Sequence, residues 1–303
     1  MNLENLLKTL SKSEKSELIK LLSVENMNEH SRFENGVVCV HCGENHCIRR
    51  GVIRNNQRYF CNDCRKYFTI YAKTILNYTK KEIYTWKMFI KLMFESKHKS
   101  LKVIAEEIGI SRMTSFRWRH KILDVLDKRF MNDKLRGIVE ADETFILNSR
   151  KGKFIEGMIG RKRGGVSKWR GLSHEQTGIL VAIDRNKNLV SKVYGCGKIN
   201  RKQVKNVLSN RIKENSLLIT DGCAAYRHFA FDNNLEIRQL KGGKSLGGGI
   251  HINNVNNYHS GFKKWIAMFN GISTKYLDRY LAWFKFIKQK NDCGYLFNEI
   301  ILA

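Results

Sequence analysis

The chain has 303 residues, 42% hydrophobic and 27% charged, which allows two or three modules, one with a sizeable core. Lys and Arg number 55 against 28 acids, and the resulting +27 points to a polyanionic partner. No apolar run reaches the roughly 18 residues of a membrane helix, and the N-terminus lacks a signal-peptide core, so no membrane partner and a cytoplasmic, nucleoid-associated location are expected.

Residues 1–34 form an N-terminal helical segment in this reading. Leu3, Leu6, Leu7 and Leu10 make an apolar stripe, and Ser11 with Glu14 fits a capping box for a second short helix through Leu22. Residues 35–76 are built around Cys39-Val-His-Cys42 and Cys61-Asn-Asp-Cys64, eighteen residues apart. In a reducing compartment the eight cysteines should be thiols or metal ligands. Each CxxC turn presents two thiolates, so Cys39, Cys42, Cys61 and Cys64 fit one structural Zn²⁺ in a zinc ribbon, with Arg58–Phe60 as a short strand. Cys47, His41 and His46 are read as spacers.

Residues 77–132 read as helices. Ile83, Trp86, Ile90 and Met93 recur at helical spacing. Ser100–Ser111 then resembles a helix-turn-helix, with Ala105 at the crossing, Gly109 in the turn and Ser111 as the next cap. The following helix carries Arg112, Thr114, Ser115, Arg117, Arg119 and Lys121, donors suited to phosphates and base edges of double-stranded DNA. Phe116, Ile122 and Leu123 are expected to hold it to the core.

From about Leu135 the pattern turns to strands, and residues 133–303 are read as one domain. Gly137–Ile146 is a strand containing acids. The Gly-, Lys- and Arg-rich residues 150–170 are expected to be mobile and to lie on DNA. A hairpin (178–184 and 189–194), a basic helix (200–213), a strand (217–222), a helix (223–231) and a strand (235–240) follow. Next comes His251–Lys263, with Val255, Tyr258, Phe262, Trp265, Ile266 and Phe269 as a buried stripe and Asn253, Asn256, Asn257, Ser260 and Lys263 largely off it. Strand, strand, strand, helix, strand, helix, strand, helix is the order of a ribonuclease H-like α/β domain with a mixed five-stranded sheet. The whole chain is thus expected to be an α+β multidomain protein.

In that layout the first and fourth strands are parallel neighbours, so Asp142 and Asp221 meet, and a later helix can bring Asn256 beside them. Adjacent buried carboxylates repel unless a cation lies between them, and Mg²⁺ favours such oxygens. Two ions about 3.5–4 Å apart can activate a water or 3′-OH and stabilise the leaving oxygen of a phosphodiester. Asp184 lies at the hairpin turn and is read as a turn residue. Glu143 alternates to the opposite face from Asp142 and is left out.

The stretches FRWRHKIL (116–123), VEADETFI (139–146), RGLSHEQ (170–176), TDGCAAY (220–226) and HINNVNNYHSGFKKWIAMFNGISTKYLDRYLAWF (251–284) together resemble the ISXO-type prokaryotic insertion-sequence transposases over nearly the whole length. The resemblance implies Asp142, Asp221, Asn256 and Lys263 as the catalytic set, with Mg²⁺ or Mn²⁺ on the first three. Asn256 stands where much of the family has Glu, 35 residues after Asp221. Asn257 with Lys264 is the alternative register. The implied activity is cleavage and transfer of DNA strands at terminal inverted repeats by a homo-oligomer on element ends and target DNA. The alternative is a DNA-binding protein with an inactive or domesticated transposase domain.

Overall fold

In the computed structural model the described residues are 32–289 apart from 34, 55, 95–98, 132, 150, 153–163, 170 and 241–248. The expected N-terminal helices and much of the 150–170 loop lie outside them. The chain divides into two compact units. The first draws on Met1–Ser96 and Lys102–Ser111, the second on Arg112–Asn291.

The first unit contains a three-stranded antiparallel sheet of β1 (Cys47–Ile53), β2 (Asn56–Cys61) and β3 (Tyr67–Thr69), in that order. Alternation along β2 turns Tyr59 and Cys61 inward onto Phe68, Cys39 and Ala72, and Phe33 closes the cluster edge-on to Tyr59. On the outer side Arg58 lies 4.6 Å over the Tyr67 ring. Only the middle strand was legible from sequence. β1 exposes nearly its whole length, so no buried alternation marks it. In the same unit α1 (Ile83–Phe94) buries Trp86, Ile90 and Met93 as expected, with Phe89 added and Ile83 only half-buried. α2 (Leu101–Glu107) ends at Gly109 (φ +65°), and the Ile110 N–H donates to Ala105 O at 3.0 Å. That is the 6→1 bond of a Schellman end, which a left-handed glycine permits.

The second unit begins with α3 (Arg112–Phe130). Its sheet has the order β6-β5-β4-β7-β8, from β4 (Ile138–Leu147), β5 (Gln176–Asp184), β6 (Leu189–Cys196), β7 (Leu217–Asp221) and β8 (Glu236–Leu240). The first three strands are antiparallel, while β4–β7 and β7–β8 are parallel. α4 (Arg201–Leu208) and α5 (Ala224–Asp232) form the crossovers. Asn200 and Gln203 make a full capping box at the start of α4. Leu208 ends α4 five residues short of the expected 213, because Asn210 turns into the left-handed region (φ +58°). Val139, Ala141, Leu180, Ala182 and Leu218 pack with Val204, Leu208, Tyr226 and Phe229 in one core on this side of the sheet.

α6 (Asn253–Ala267) lies over β4 and β5, and α7 (Leu277–Lys288) packs on α6, β6 and α3. α6 buries Val255, Tyr258, Phe262 and Trp265 as expected, and also His259. Rings fill the seam with α7: Phe284 lies 5.2 Å from Tyr258, 5.4 Å from Phe262 and 5.3 Å from Trp265. α7 buries one charge, Lys285, which is paired to Asp133 at 2.8 Å and donates to Leu189 O at 3.0 Å. Among the described residues no helix is long and apolar enough to cross a membrane.

Two of the six proposed DNA-contact positions on α3 do not face outward. Ser115, Trp118, Arg119, Ile122, Leu123 and Leu126 recur at helical spacing and are all buried. The Arg119 guanidinium lies 5.3 Å over the Trp283 ring and 5.9 Å over Phe269, a cation–π clamp onto the aromatic seam. The polarity of Ser115 and Arg119 hid their place on the inner face. Phe116, expected in the core, is 37% exposed, and Trp118 holds the helix instead. Arg112, Arg117 and Lys121 are exposed and Thr114 is half-buried. Thr114, Arg117 and Lys121 fall three and four residues apart, so they form one outward row.

Candidate active site

β4 carries two acids on its α6 face. Val139 and Ala141 point into the α4–α5 core, so Glu140 and Asp142 point to the other side. The parallel register pairs Ala141 with Thr220 and ends there, which sets Asp142 beside Asp221 at the C-terminal end of β7. One Asp221 oxygen accepts the Cys223 N–H at 3.1 Å, tying the acid to the turn that opens α5.

A third carboxylate joins them. Asp142, Glu143 and Asp221 each offer an oxygen, and the three lie within 4.8 Å of one another. The alternation rule that set Glu143 aside holds locally, for it leaves β4 on the α5 face and accepts the hydroxyl of fully buried Tyr226. However, β7 ends at Asp221, so on the β7 side of β4 no paired strand separates the two faces beyond Ala141. An acid from each face reaches the same corner.

The electrostatics of this corner call for a cation. Burial pushes the Asp142 carboxyl up to about 6; the charge of Asp221 adds to this, while the Glu143 N–H and Lys263 oppose it. Burial likewise pushes Glu143 up to about 7, with Tyr226 opposing and the two aspartates adding. Both folded pKa values lie above the ordinary carboxylate range. The stability linked to them is therefore fully present below about pH 4 and lost as pH rises through about 6 and then 7. Without added Mg²⁺ or Mn²⁺ the protein should melt at a lower temperature at about pH 8 than at about pH 5, and Asp142→Asn should flatten that slope. Thermal melts across this range check it, and identical slopes in the two proteins would contradict it.

α6 supplies the other side. Its N-terminus has no cap of its own, since Ile252 makes no side-chain capping bond. The cap comes from β4. The fully buried Glu140 carboxylate accepts Asn254 N–H at 2.8 Å, Val255 N–H at 3.3 Å and the Asn254 side-chain amide at 2.7 Å. Arg185 donates to the same carboxylate and to Gly249 O. Glu140 thus ties the start of α6 to the strand that holds Asp142.

Asn256 is exposed in the first turns of α6, and His259 follows three residues later, on the same side. His259 Nδ1 lies 3.9 Å from Asp142 Oδ2. Burial and Lys263 hold its pKa down to about 4, so the ring is neutral. Lys263 is exposed and is the lysine whose charge acts on Asp142. Lys264 is turned about 100° further around the helix, as is Asn257 from Asn256. Asp184, read as a turn residue, accepts Asn188 N–H at 2.9 Å and Arg136 N–H at 3.1 Å.

The four cysteines converge in the first unit. Their Sγ atoms lie within 4.8 Å of one another, with Cys39–Cys64 and Cys42–Cys61 both at 3.6 Å. Thiolates about 2.3 Å from a tetrahedral zinc stand about 3.8 Å apart, so the set fits that ion. The two knuckles share one backbone design. Cys39 N–H donates to Glu44 O and Cys61 N–H to Lys66 O, and the residues after each second cysteine, Gly43 and Arg65, are left-handed. Cys47 is outside the cluster, and burial and Cys61 push its thiol up to about 12.

Glu143, Glu140 and His259 were not among the residues singled out from sequence. The missing cap at Ile252 is the one signal that could have directed attention to an acid elsewhere, because a buried helix start needs an acceptor.

The mixed sheet brings acids from two parallel strands to one corner, and the comparisons name a family for the unit that holds it. Residues 134–288, just over half of the chain, match the family described as the ISXO2-like transposase domain. The chain belongs to that family and is a DNA transposase. An uncharacterized protein in transposable element ISH50 of Halobacterium salinarum is 26% identical over 270 residues, covering 86% of this chain and 88% of its own. Among solved structures, a pre-cleavage Mos1 transpososome matches with a TM-score of 0.31 and 14% identity over 73% of this chain and 76% of that one. A Mos1 paired-end complex with Mg matches with a TM-score of 0.30 and 14% identity over 70% and 73%.

Proposed function

We propose that this transposase binds the terminal inverted repeats of its own insertion sequence and cuts and joins DNA strands at the corner formed by Asp142, Asp221 and Asn256. The observation that carries this reading is the meeting of two acids across the parallel β4–β7 pair, where burial and the charge of Asp221 favour the neutral form of Asp142 without a cation. Mg²⁺ or Mn²⁺ bound there would activate a water or 3′-OH and stabilise the leaving oxygen.

The chain's own residues do the rest. Asp142 and Asp221 would be the charged ligands of the ion, with the Glu143 carboxylate beside them. Asn256 would add a carbonyl oxygen without charge, a weaker ligand for the ion than a third carboxylate. Lys263 contacts a DNA phosphate near the scissile bond, and its effect on Asp142 supports the Asn256/Lys263 register over Asn257/Lys264. The outward row of Thr114, Arg117 and Lys121, with Arg112, contacts the duplex. The protein acts as a homo-oligomer because two element ends must be held together. Incubating the protein with labelled DNA ends flanking its gene, plus Mg²⁺ or Mn²⁺, tests the reading. Nicking or joining is expected; a mobility shift without cleavage would favour a DNA-binding protein with an inactive domain.

The ribbon is proposed to hold a structural Zn²⁺ on Cys39, Cys42, Cys61 and Cys64. Its core is small, and zinc coordination contributes about 10–16 kcal/mol in comparable sites. Chelation, or Cys61→Ser, is therefore expected to unfold the ribbon and weaken DNA binding while the melting transition of the second unit persists. Full DNA affinity in excess chelator, measured by fluorescence anisotropy, would contradict this.

A further inference from the structure

We propose that His259 is a direct ligand of the divalent ion held by Asp142, so that an imidazole nitrogen joins the carboxylate oxygens and favours Mn²⁺ over Mg²⁺. This inference rests on the carboxylate centre proposed above. His259 is 8% exposed, an unusual place for an imidazole on the polar side of α6, while Asn256 one turn earlier is exposed. Its Nδ1 faces Asp142 Oδ2 at 3.9 Å, too far for a hydrogen bond. Its Nε2 is buried without a hydrogen-bond partner. Among the described residues no hydrogen bond reaches Nδ1, so its lone pair is free to take an ion beside Asp142.

The separation has a natural explanation. Two ligands each about 2.1 Å from one ion stand between about 3 Å apart when cis and about 4.2 Å when trans. The observed 3.9 Å falls inside that range. Helix α6 aims the ring at this point because Glu140 fixes its start, while Tyr258 and Phe262 on either side of His259 fix its rotation against Phe284. Imidazole suits later first-row ions, whereas Mg²⁺ prefers oxygen, so the nitrogen compensates for a third family position that holds a neutral Asn.

The test uses full-length, zinc-loaded protein and Mn²⁺ alone as probe, read by pulsed electron paramagnetic resonance and by Mn²⁺ titration. The expected result is a directly coordinated ¹⁴N signal in the wild type that disappears in His259→Gln. That variant should bind Mn²⁺ about tenfold more weakly, with a smaller loss for Mg²⁺ in competition. The wild-type signal does not depend on any variant folding, and circular dichroism checks the variant. Mn²⁺ binding that is lost in Asp142→Asn but shows no ¹⁴N coupling, or coupling that survives His259→Gln, would overturn the role of His259 and leave the carboxylate centre standing. Absence of Mn²⁺ binding, or binding unaffected by Asp142→Asn, would overturn both.

Discussion

Asp142→Asn and Asp221→Asn are each expected to remove strand cleavage and joining while leaving DNA binding intact. The two side chains are the charged groups proposed to hold the ion, and Asn256 cannot replace either charge. Losing about 4 kcal/mol of transition-state stabilisation lowers the rate about a thousandfold. Without divalent ion the same change should not destabilise the protein. Burial and the Asp221 charge already push the Asp142 carboxyl up to about 6, so an uncharged amide at that corner removes repulsion. The Asp142→Asn protein should therefore melt at or above the wild-type temperature at neutral pH in the absence of Mg²⁺ and Mn²⁺. Inactivation without loss of stability separates a functional carboxylate from a structural one. Single-turnover cleavage and thermal melts on one preparation check both halves; an active Asp142→Asn or Asp221→Asn protein would overturn the assignment.

The second large effect belongs to a residue outside the proposed ion ligands. Glu140→Ala is expected to cost about 3–5 kcal/mol, because it leaves the Arg185 cation without its carboxylate and the first N–H groups of α6 without an acceptor. Glu140 is fully buried and caps Asn254 and Val255 across more than a hundred residues of sequence. Glu140→Gln keeps the shape but loses charge-assisted bonds, for about 1.5–3 kcal/mol. Since α6 carries Asn256, His259 and Lys263, cleavage should fall in both variants, less in Gln than in Ala. Urea unfolding gives the stability change, and hydrogen exchange at Asn254 and Val255 reports the cap. An Ala variant with unchanged urea midpoint and unchanged amide protection would contradict the positioning role.

The parts of this architecture that repeat locally were legible in the sequence. Runs of strand-forming residues marked β4 and β5, the two CxxC pairs marked a four-thiol cluster, and helical spacing marked the aromatic stripe of α6. Strand order then implied the parallel β4–β7 pair that joins Asp142 to Asp221. What escaped depends on where elements end. Glu143 obeys strand alternation, yet β7 stops beside it, and no local pattern announces the stop. Glu140 looked like one more acid in a strand, because the helix start it caps is far along the chain. Arg119 and Ser115 were read by polarity, although helical spacing with Ile122 and Leu126 places them on the buried side. Most of α7 lay in a stretch noted only for its resemblance, and its role as the lid of the aromatic seam appears only in three dimensions.

The claim that Asp142 and Asp221 form a metal-dependent strand-transfer centre is tested most directly by sequencing the joined products. Pre-cut element ends and a target plasmid are incubated with the protein and Mn²⁺. The predicted result is covalent joining of element 3′ ends to target DNA by the wild type, abolished by EDTA and by Asp142→Asn. Joining that persists in EDTA, or in the Asp142→Asn/Asp221→Asn double variant, would contradict it.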